Sequence, residues 1–296
     1  MRVVVAGSHG LIGGDLVALL RREGHRVQVL VRRPASGPDE VSWDPTAGRL
    51  DARDLVGADA VVCLSGAGVA DRYLTPARKR VVVSSRVDTA GLVARTLAGM
   101  DDGPRVLLQA SGIGAYGERG DDLLDEHEPL GSTFFADVVR QWEAASAPAV
   151  AAGVRVAFLR TGIVLSPRGG ALGRLLPLLR LGVGGPLGSG RQWWSWITLV
   201  DEVRAIAHLL EADVSGPVNL VTQATRNEDL TRALARALHR PAVVRAPAVA
   251  LRLALGDFAP EVLGSIRADP AALRASGFVP AHADPAAAAA WLVRNR

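Results

Sequence analysis

Lysine is almost absent from this chain of 296 residues: Lys79 is the only one, although lysine and arginine together number 34. Cysteine is equally scarce, and a lone Cys63 excludes an intramolecular disulfide and any metal site built from several cysteines. Aromatic residues make up 4% of the chain, against 49% hydrophobic and 22% charged residues. This composition is that of a globular protein, and the length suits one large domain or a large domain with a smaller companion.

Long apolar runs are missing as well. No stretch approaches the ~18 uninterrupted apolar residues of a membrane span. Residues 247–256 are interrupted by Arg252, and residues 286–293 are too few. Near the N-terminus, the apolar run 3–6 ends at once in a glycine loop, which is unlike a signal peptide. We therefore predict a cytoplasmic protein that does not enter a membrane.

Positive charge is in small excess only. The 34 basic side chains stand against 30 acidic ones, so the net charge is +4. The sequence pI of about 10.1 reflects the high pKa of arginine rather than a strongly basic surface. Basic residues occur in short groups, such as Arg21-Arg22, scattered among acids, whereas a nucleic-acid groove needs a clustered basic stripe with aromatic residues. The pattern predicts no nucleic-acid partner.

Three glycines at regular spacing follow the first apolar run. Residues 3–6 lack polar alternation, which is typical of a parallel strand buried on both faces. Gly7, Gly10 and Gly13 come next, before a segment of helical spacing and a second apolar strand at residues 27–31. Backbone N–H groups at a helix N-terminus bind a pyrophosphate, and glycines let the backbone approach it. The loop predicts a dinucleotide site; the alternative is a tight strand-to-helix turn without a ligand.

The end of the second strand indicates which dinucleotide is bound. An NAD site places Asp or Glu there to accept hydrogen bonds from the ribose 2′-hydroxyl, whereas a 2′-phosphate requires positive charge. This sequence has Arg32 and Arg33 at that point, with no acid before Asp39. A guanidinium pairs with phosphate through two hydrogen bonds, which favours NADP(H). The alternative is a strand that ends in two solvated arginines.

Strands and helices alternate along the first part of the chain. Apolar segments at 60–64, 105–111 and 154–160 predict further strands, and a helix is predicted at about 76–97. This alternation indicates an α/β protein with a doubly wound parallel sheet and helices on both faces, the NAD(P)-binding Rossmann architecture. Ligands of such sheets bind beyond the carboxyl ends of the strands.

The amino-acid composition changes after residue 165. Loops rich in glycine and proline follow, and the C-terminal part combines amphipathic helices with a short strand at 218–221. These features predict a smaller C-terminal α/β lobe on the substrate side. The predicted boundaries are 1–165 for the Rossmann domain, 192–212 for a segment that returns to it, and 166–191 with 213–296 for the smaller lobe.

The glycine spacing resembles that of the short-chain dehydrogenase/reductase superfamily, particularly its extended branch of sugar-nucleotide epimerases. The resemblance implies catalysis by a serine, a tyrosine, and a lysine four residues after the tyrosine that lowers the pKa of the phenol. Here Lys79 follows Thr75 at that distance, and neither Tyr73 nor Tyr116 is followed by a lysine. The usual tyrosine and lysine mechanism is therefore excluded.

A wider set of motifs resembles one subgroup over essentially the whole chain, the epimerase-family proteins of short-chain dehydrogenase type 39U, some of which are labelled cell division inhibitor-like. The resemblance implies an NADP-binding extended fold and a C-terminal domain of unknown function at about 248–295. It also implies that members of this subgroup tend to lack the Tyr/Lys pair. Its marks include Trp43-Asp44, Ser85-Arg86, Ser111-Gly112, Tyr116-Gly117, Phe134-Phe135, Trp142-Glu143, residues 160–165, Gly169-Gly170-Ala171, residues 184–190, Gln192, Ser195-Trp196-Ile197, Asp201, Asn219, Pro270, Leu273 and Gly277-Phe278.

Cofactor contacts are carried over by position from this resemblance. They fall on the glycine loop, the end of the second strand and the ends of the following strands. The residues expected at the cofactor are Gly7, Ser8, His9, Gly10, Leu11, Ile12, Gly13, Val31, Arg32, Arg33, Cys63, Leu64, Ser65, Arg86, Ser111, Arg160 and Val164.

Two residues are candidate catalytic residues in the absence of the tyrosine and lysine pair. Ser111 keeps its place after a predicted strand, and Tyr116 follows on a loop. One hypothesis has Tyr116 donate a proton with its pKa lowered by Arg160; the other has Tyr116 only pack the pocket. Candidate substrate-pocket residues are Gln192, Trp196 and Asp201, and the tryptophans at 193, 194 and 196 either line a pocket or pack the two lobes together.

No metal site is predicted. The acidic segment 121–128 lacks a defined ligand geometry and is interpreted as a solvated loop. Two function classes stay open for a monomer or homodimer with a small-molecule substrate. The first is an NADP(H)-dependent oxidoreductase or epimerase acting on a small polar or nucleotide-linked metabolite with a non-standard acid and base. The second is an NADP-binding regulatory or interaction protein without chemistry.

Overall fold

Three β-sheets organise the chain, of which a computed structural model describes residues 1–70, 72–170 and 172–295. Ala171, predicted as part of a glycine-rich motif, lies outside the described residues. The strands are β1 (Arg2–Ala6), β2 (Arg26–Val31), β3 (Glu40–Ser42), β4 (Ala60–Cys63), β5 (Val106–Gly112), β6 (Leu123–Leu124), β7 (Arg155–Thr161), β8 (Ile163–Ser166), β9 (Gly169–Gly170), β10 (Trp193–Thr198), β11 (Gly216–Leu220), β12 (Gln223–Arg226) and β13 (Arg267–Ala268).

The helices of the described residues are mostly short. None of them combines the length and the apolar character that crossing a lipid bilayer requires. They are α1 (Leu11–Arg22), α2 (Pro76–Ala98), α3 (Phe134–Ala144), α4 (Ala147–Ala151), α5 (Leu172–Arg180), α6 (Leu199–Glu211), α7 (Asn227–Ala237), α8 (Ala248–Leu255), α9 (Ala259–Leu263), α10 (Ala271–Ala275) and α11 (Pro285–Arg294).

The main sheet has seven parallel strands in the order β3-β2-β1-β4-β5-β7-β11. Alternate residues of β1 explain why its sequence shows no polar alternation. Val3 and Val5 pack on one face with Leu16 of α1, and Val4 packs on the other face with Val93 of α2. Both faces of the sheet are therefore covered by helices, which confirms the predicted doubly wound architecture.

A smaller sheet forms the second lobe, with strand order β12-β10-β8-β9. Strand β10 pairs in parallel with β8 and antiparallel with β12. Trp194 and Trp196 of this strand pack against helices α5, α7 and α11 through Leu175, Leu234 and Leu292. A short parallel pair, β6 and β13, joins the loop after β5 to the C-terminal segment.

The structure shifts two predicted boundaries. Strand β11 lies at the edge of the main sheet, with Val218 opposite Leu159, although the sequence placed it in the smaller lobe. Val218 and Leu220 are fully buried in the main core, and this burial favours pairing with β7. Of the segment 192–212, helix α6 packs against α1, whereas β10 belongs to the smaller sheet.

Candidate functional site

Two neighbouring cavities open at the carboxyl end of the main sheet, of about 740 Å³ and about 380 Å³. Both are lined by Gly7 and Gly10 of the glycine loop. The larger cavity extends past the ends of β5 and β7 to helices α3 and α9, and the smaller one lies at the end of β2. Together they form a continuous groove along the sheet edge where the topology predicted a ligand.

The glycine loop is shaped by two close backbone approaches. Gly7 has a φ of +86°, and a Cβ there would lie 2.8 Å from the carbonyl carbon of Leu64. A Cβ on Gly13 would lie 2.2 Å from the Gly7 carbonyl oxygen. Only glycine fits at these two positions, which explains the first and third glycines of the motif.

Helix α1 begins directly behind this loop. Its N-cap residue, Gly10, offers no side-chain cap, and the first turn carries no acidic residue. The first N–H groups of a helix have no intrahelical partner, and they carry the positive end of the helix dipole. The start of α1 thus presents free donors to the point where the two cavities meet, as a pyrophosphate site requires.

The two arginines after β2 differ in their partners. Arg33 donates to both carboxylate oxygens of Glu40, at 2.7 and 2.6 Å, and this pairing lowers the pKa of Glu40 to about 2. Arg32 is exposed, and no residue of the described ranges pairs with its guanidinium. Both line the smaller cavity beside Trp43. Arg32 therefore has the guanidinium that is free for a phosphate.

Arg86 places a half-buried positive charge on the larger cavity. Its guanidinium donates to the backbone carbonyls of Ala67 and Val82, at 3.1 and 3.0 Å, and lies 4.9 Å from the centre of the Trp142 ring. Burial lowers the pKa of Arg86 to about 10, so it stays charged at neutral pH. None of the described carboxylates pairs with it, and a negatively charged ligand would supply that partner.

Ser111 connects the larger cavity to a buried polar network. Its Oγ donates to Glu143 Oε1 at 2.7 Å, and Arg160 holds the same carboxylate through Nε at 2.9 Å and Nη2 at 3.0 Å. Arg160 Nη1 also donates to the Tyr116 hydroxyl at 3.1 Å, which in turn donates to Asn219 Oδ1 at 2.7 Å. The network joins β5, α3, β7 and β11 behind the wall of the cavity.

Tyr116 does not fit the catalytic hypothesis. Its side chain is fully buried and lies outside the residues that line the two cavities. Burial raises the pKa of the phenol, and the opposing effect of Arg160 is too small to reverse it. The expectation that Arg160 lowers the pKa of Tyr116 below its ordinary value is therefore wrong. The Tyr116 hydroxyl instead forms hydrogen bonds with Asn219 and Arg160 behind the cavity wall.

Most residues expected at the cofactor do line the groove, but three do not. Cys63 points into the core with no exposed surface, and burial raises the pKa of its thiol to about 11. Arg160 lies behind the wall, paired with Glu143. Ser8 contacts His9 at the outside of the loop, 3.3 Å from Nδ1. The alternation of side chains along a strand explains why Leu64 lines the cavity and Cys63 does not.

The three expected substrate-pocket residues also lie away from the cavity lining, because their polar side-chain atoms form hydrogen bonds with other parts of the protein. Gln192 Nε2 donates to two backbone carbonyls, at 3.0 and 3.4 Å, and Trp196 Nε1 donates to Thr225 at 3.0 Å. Asp201 accepts from the backbone N–H of Ala281 at 2.7 Å and of residue 282 at 3.0 Å. Of the tryptophan cluster, residues 193 and 194 line the cavity.

The acidic segment distributes its carboxylates among separate partners. Asp121 accepts from Trp193 Nε1 at 2.8 Å, and Glu128 from Arg119 at 3.3 Å. Glu126 is buried and accepts the N–H of Asn219 at 2.9 Å. Among the described residues, no three His, Cys, Asp or Glu side chains converge in a way that would hold a metal ion.

Sequence comparison decides the family. A profile of the NAD dependent epimerase/dehydratase family matches residues 3–221, well over half of the chain. The chain belongs to this family. A second profile, a domain of unknown function called DUF1731, matches residues 246–292.

Relatives within the family match over nearly their full length. Epimerase family protein Mb2239 of Mycobacterium bovis is 43% identical over 279 residues, covering 93% of this chain and 92% of its own. Epimerase family protein SDR39U1 of Homo sapiens is 34% identical over 265 residues, covering 86% and 87%. The resemblance to type 39U is confirmed.

Solved structures support the same placement. The crystal structure of human SDR39U1, isoform 2, with NADPH matches with a TM-score of 0.90 at 30% identity and covers 100% of both chains. A nucleoside-diphosphate sugar epimerase from Corynebacterium glutamicum matches with a TM-score of 0.78 at 35% identity, over 97% of this chain and 57% of its own. The predicted Rossmann fold is confirmed.

In this member of the epimerase family, helix α3 presents an apolar surface to the larger cavity. Helix α3 lines the larger cavity with Phe135, Val138, Val139 and Trp142, two pairs at a spacing of four residues. None of these side chains can transfer a proton. The structure thus agrees with the absence of Tyr-x-x-x-Lys in the sequence.

Four lining residues of the larger cavity come from the DUF1731 segment and were not predicted from the sequence: Phe258, Glu261, Gly264 and Ile266. Phe258 and Glu261 line the same cavity as Ser111, more than a hundred residues earlier in the chain. Phe258 meets Phe135 edge-on, with ring centroids 6.0 Å apart. Their local sequence carries no recognisable motif, so no pattern along the chain indicated that this segment reaches the site.

Proposed function

We propose that this chain binds NADP(H) along the two cavities and catalyses hydride transfer between the cofactor and a small carbonyl or hydroxyl compound. The observation that carries the proposal is the unpaired Arg32 at the end of β2, in a groove that continues over the glycine loop to Ser111. Arg32 would bind the 2′-phosphate, and the start of α1 would bind the pyrophosphate.

The larger cavity fits the reacting half of the cofactor and a substrate. Its volume of about 740 Å³ lies within the roughly 300–1,000 Å³ of small-molecule sites. A bound nicotinamide supplies or accepts the hydride. The chain's part is to hold the reactants, with Arg86 as a cation for a phosphate or carboxylate and Ser111 as a hydrogen-bond acceptor at the wall. Small polar metabolites and nucleotide sugars are the proposed substrate class.

Calorimetry of NADPH and NADH binding tests the cofactor assignment. We expect Arg32→Ala to lower the preference for NADPH by about 10-fold or more, because charged hydrogen bonds to phosphate contribute roughly 1.5–3 kcal/mol. Arg33→Ala is the matched control, since Arg33 is already held by Glu40. A preference for NADPH that is the same in Arg32→Ala and in the wild type would refute the assignment.

A second candidate function is NADP(H) binding without turnover. It is favoured by the apolar side chains that α3 presents to the cavity, none of which can transfer a proton. Oxidation of NADPH, followed over a panel of aldehydes, ketones and nucleotide sugars, separates the two. Turnover that responds to substitution of the cavity lining supports the enzyme; tight NADPH binding without turnover of any member supports the binding protein.

A further inference from the structure

The hydroxyl groups of the larger cavity already donate their protons to other acceptors. Ser111 donates to Glu143 at 2.7 Å. Thr161 donates to Glu202 at 2.7 Å, and Ser195 donates to a backbone carbonyl at 2.8 Å. A hydroxyl whose proton is held in this way can accept a hydrogen bond from a ligand but is a poor source of a proton.

Glu261 is the only carboxyl group among the described residues that line this cavity. The same lining contains no histidine, lysine, tyrosine, cysteine or aspartate, and its other charged side chain is Arg86. A guanidinium does not give up its proton at neutral pH. By elimination, the lining offers one side chain that can exchange a proton with a substrate.

The position of Glu261 is well defined by the contacts of its helix. Its Oε2 lies 3.3 Å from where a Cβ on Gly114 would be, three residues after Ser111. Just before α9, Asp257 pairs with Lys79 at 2.6 Å, so the single lysine of the chain holds this segment against α2. The carboxyl therefore faces the side of the cavity that is lined by Ser111, the residues directly after it and helix α3.

Glu261 also has the protonation behaviour that the role requires. None of the described residues donates a hydrogen bond to its carboxyl or forms an ion pair with it. Burial raises the pKa of Glu261 to about 7. The acid and the carboxylate are both populated near neutral pH, which is the condition for efficient general acid and base catalysis.

We infer that Glu261 exchanges the proton with the substrate oxygen, in place of the missing tyrosine and lysine. This inference rests on the proposed function. In the direction of reduction, the carbonyl carbon receives a hydride from the reduced nicotinamide, and the carbonyl oxygen receives the proton of the Glu261 carboxyl. The C=O group becomes a C–H and an O–H, and the carboxylate that is left takes a proton from water. Oxidation of an alcohol uses the carboxylate as base.

Other charged groups on the surrounding elements have partners or stand at the surface. Arg86 of α2 shares the cavity, and the Lys79–Asp257 pair lies beside α9. Glu118 is exposed, with a carboxylate oxygen 3.5 Å from where a Cβ on Gly264 would be. Glu118 is close to the site but outside its lining, which makes it a matched control for substitution of Glu261.

The test compares the wild type with Glu261→Gln, Glu261→Asp and Glu118→Gln. NMR of isotope-labelled glutamate side-chain carboxyls follows their titration in the free protein, with NADPH and with NADP⁺. Besides the resonance of Glu202, which should titrate near pH 8 in all four proteins, we expect one resonance to titrate near pH 7, to be absent in Glu261→Gln and to remain in Glu118→Gln. The positive charge of the oxidised nicotinamide should lower its midpoint relative to the NADPH complex, an effect that a purely structural carboxyl would not show.

Turnover and binding complete the test. With benzaldehyde and NADPH, Glu261→Gln should lower kcat by about 100-fold or more, and Glu261→Asp should retain part of the rate. The wild-type rate should fall as the pH rises above about 7, because reduction needs the protonated acid. NADPH affinity by calorimetry should be the same in all four proteins.

Four results would contradict the role of Glu261 or the function on which it rests. A Glu261 carboxyl that titrates in the ordinary acidic range overturns the inference. So does a titration midpoint of Glu261 that is the same with NADPH and with NADP⁺. Undiminished reduction by Glu261→Gln overturns it as well. If the wild type itself does not bind NADPH, the proposed function fails first.

Discussion

Ser111 and Glu143 are joined by a hydrogen bond of 2.7 Å that links the cavity wall to a buried ion pair. Glu143 accepts from Arg160 through both carboxylate oxygens, and the two side chains are 12% and 4% exposed. Glu143 lies on α3, the helix whose other inward residues are apolar. The position of the Ser111 hydroxyl at the site therefore depends on a charge pair that never contacts the cavity.

Removing the charge of Glu143 should destabilise the protein. Glu143→Gln leaves the Arg160 guanidinium buried without a counter-charge, which costs about 3 kcal/mol of unfolding free energy. Urea unfolding with an unchanged slope measures this loss. Glu128→Gln is the control, because Glu128 and its partner Arg119 are 38% and 29% exposed and should contribute less than about 1 kcal/mol. Equal stabilities of the two variants would contradict the prediction.

Two adjacent glycines of α1 should respond in opposite ways to alanine. In Gly13→Ala, the Cβ would meet the Gly7 carbonyl oxygen at 2.2 Å, so the loop must shift and NADPH affinity should fall at least about 10-fold. In Gly14→Ala, the Cβ would lie 3.5 Å from the Ser8 carbonyl oxygen, an ordinary contact. Gly14→Ala, at an exposed position of the helix, should stabilise the protein by about 0.5–1 kcal/mol, and the variant should bind NADPH normally. Calorimetry measures the NADPH affinity of the two variants, and thermal unfolding measures their stability.

Tyr116→Phe should affect stability rather than function. The substitution removes a hydroxyl that donates to Asn219 and accepts from Arg160, and it leaves two buried polar groups without that partner. We expect a loss of about 1–2 kcal/mol in urea unfolding, with NADPH affinity and any turnover unchanged. Tyr73→Phe, at a residue 64% exposed, should change stability by less than about 0.5 kcal/mol. Loss of turnover in a folded Tyr116→Phe protein would restore the catalytic hypothesis.

Glu202 should make the stability of the protein depend on pH. The carboxyl is fully buried beside Thr161, and burial raises its pKa from 4.5 to about 8. Between these values the folded protein holds a proton that the unfolded chain releases, so the contribution of Glu202 to stability is greatest below pH 4.5 and falls as the pH rises to about 8. Glu202→Gln should remove a decline on the order of 4 kcal/mol.

Urea unfolding at acidic and at alkaline pH tests this dependence. Glu211→Gln, at an exposed position of the same helix, should keep the wild-type pH profile. Glu261 adds a smaller decline of the same sign, because burial raises its pKa to about 7. A wild-type stability that rises between pH 5 and pH 8 would contradict the assignment of Glu202 as a buried neutral acid.

Local patterns were enough to predict the main sheet and the cofactor groove. Strand β1, the glycine spacing and helix α1 are neighbours in the chain, and their geometry follows from backbone sterics and short-range hydrogen bonds. Arg32 follows β2 directly, so its place at the sheet edge could be predicted as well. The single lysine likewise excluded a Tyr/Lys pair without any structure.

The partners of the site residues could not be predicted in this way. Asp201 looked like a pocket residue, yet its carboxylate holds backbone N–H groups some eighty residues away, at Ala281 and the next residue. Arg160 looked like a modulator of Tyr116, yet burial of the phenol outweighs its charge. Desolvation depends on every element packed around a group, and no local pattern contains that information.

The sequence by itself determined the doubly wound sheet, the glycine loop behind it and the absence of the usual proton-transfer pair, because each depends on residue types at short spacing. Only the tertiary structure decided what Lys79 does and which acid faces the cavity. Lys79 pairs with Asp257, and the segment that it holds brings Glu261 to the wall near Ser111. Contacts between residues this far apart in the chain form only when the whole core packs, and the same packing sets the pKa of the carboxyl.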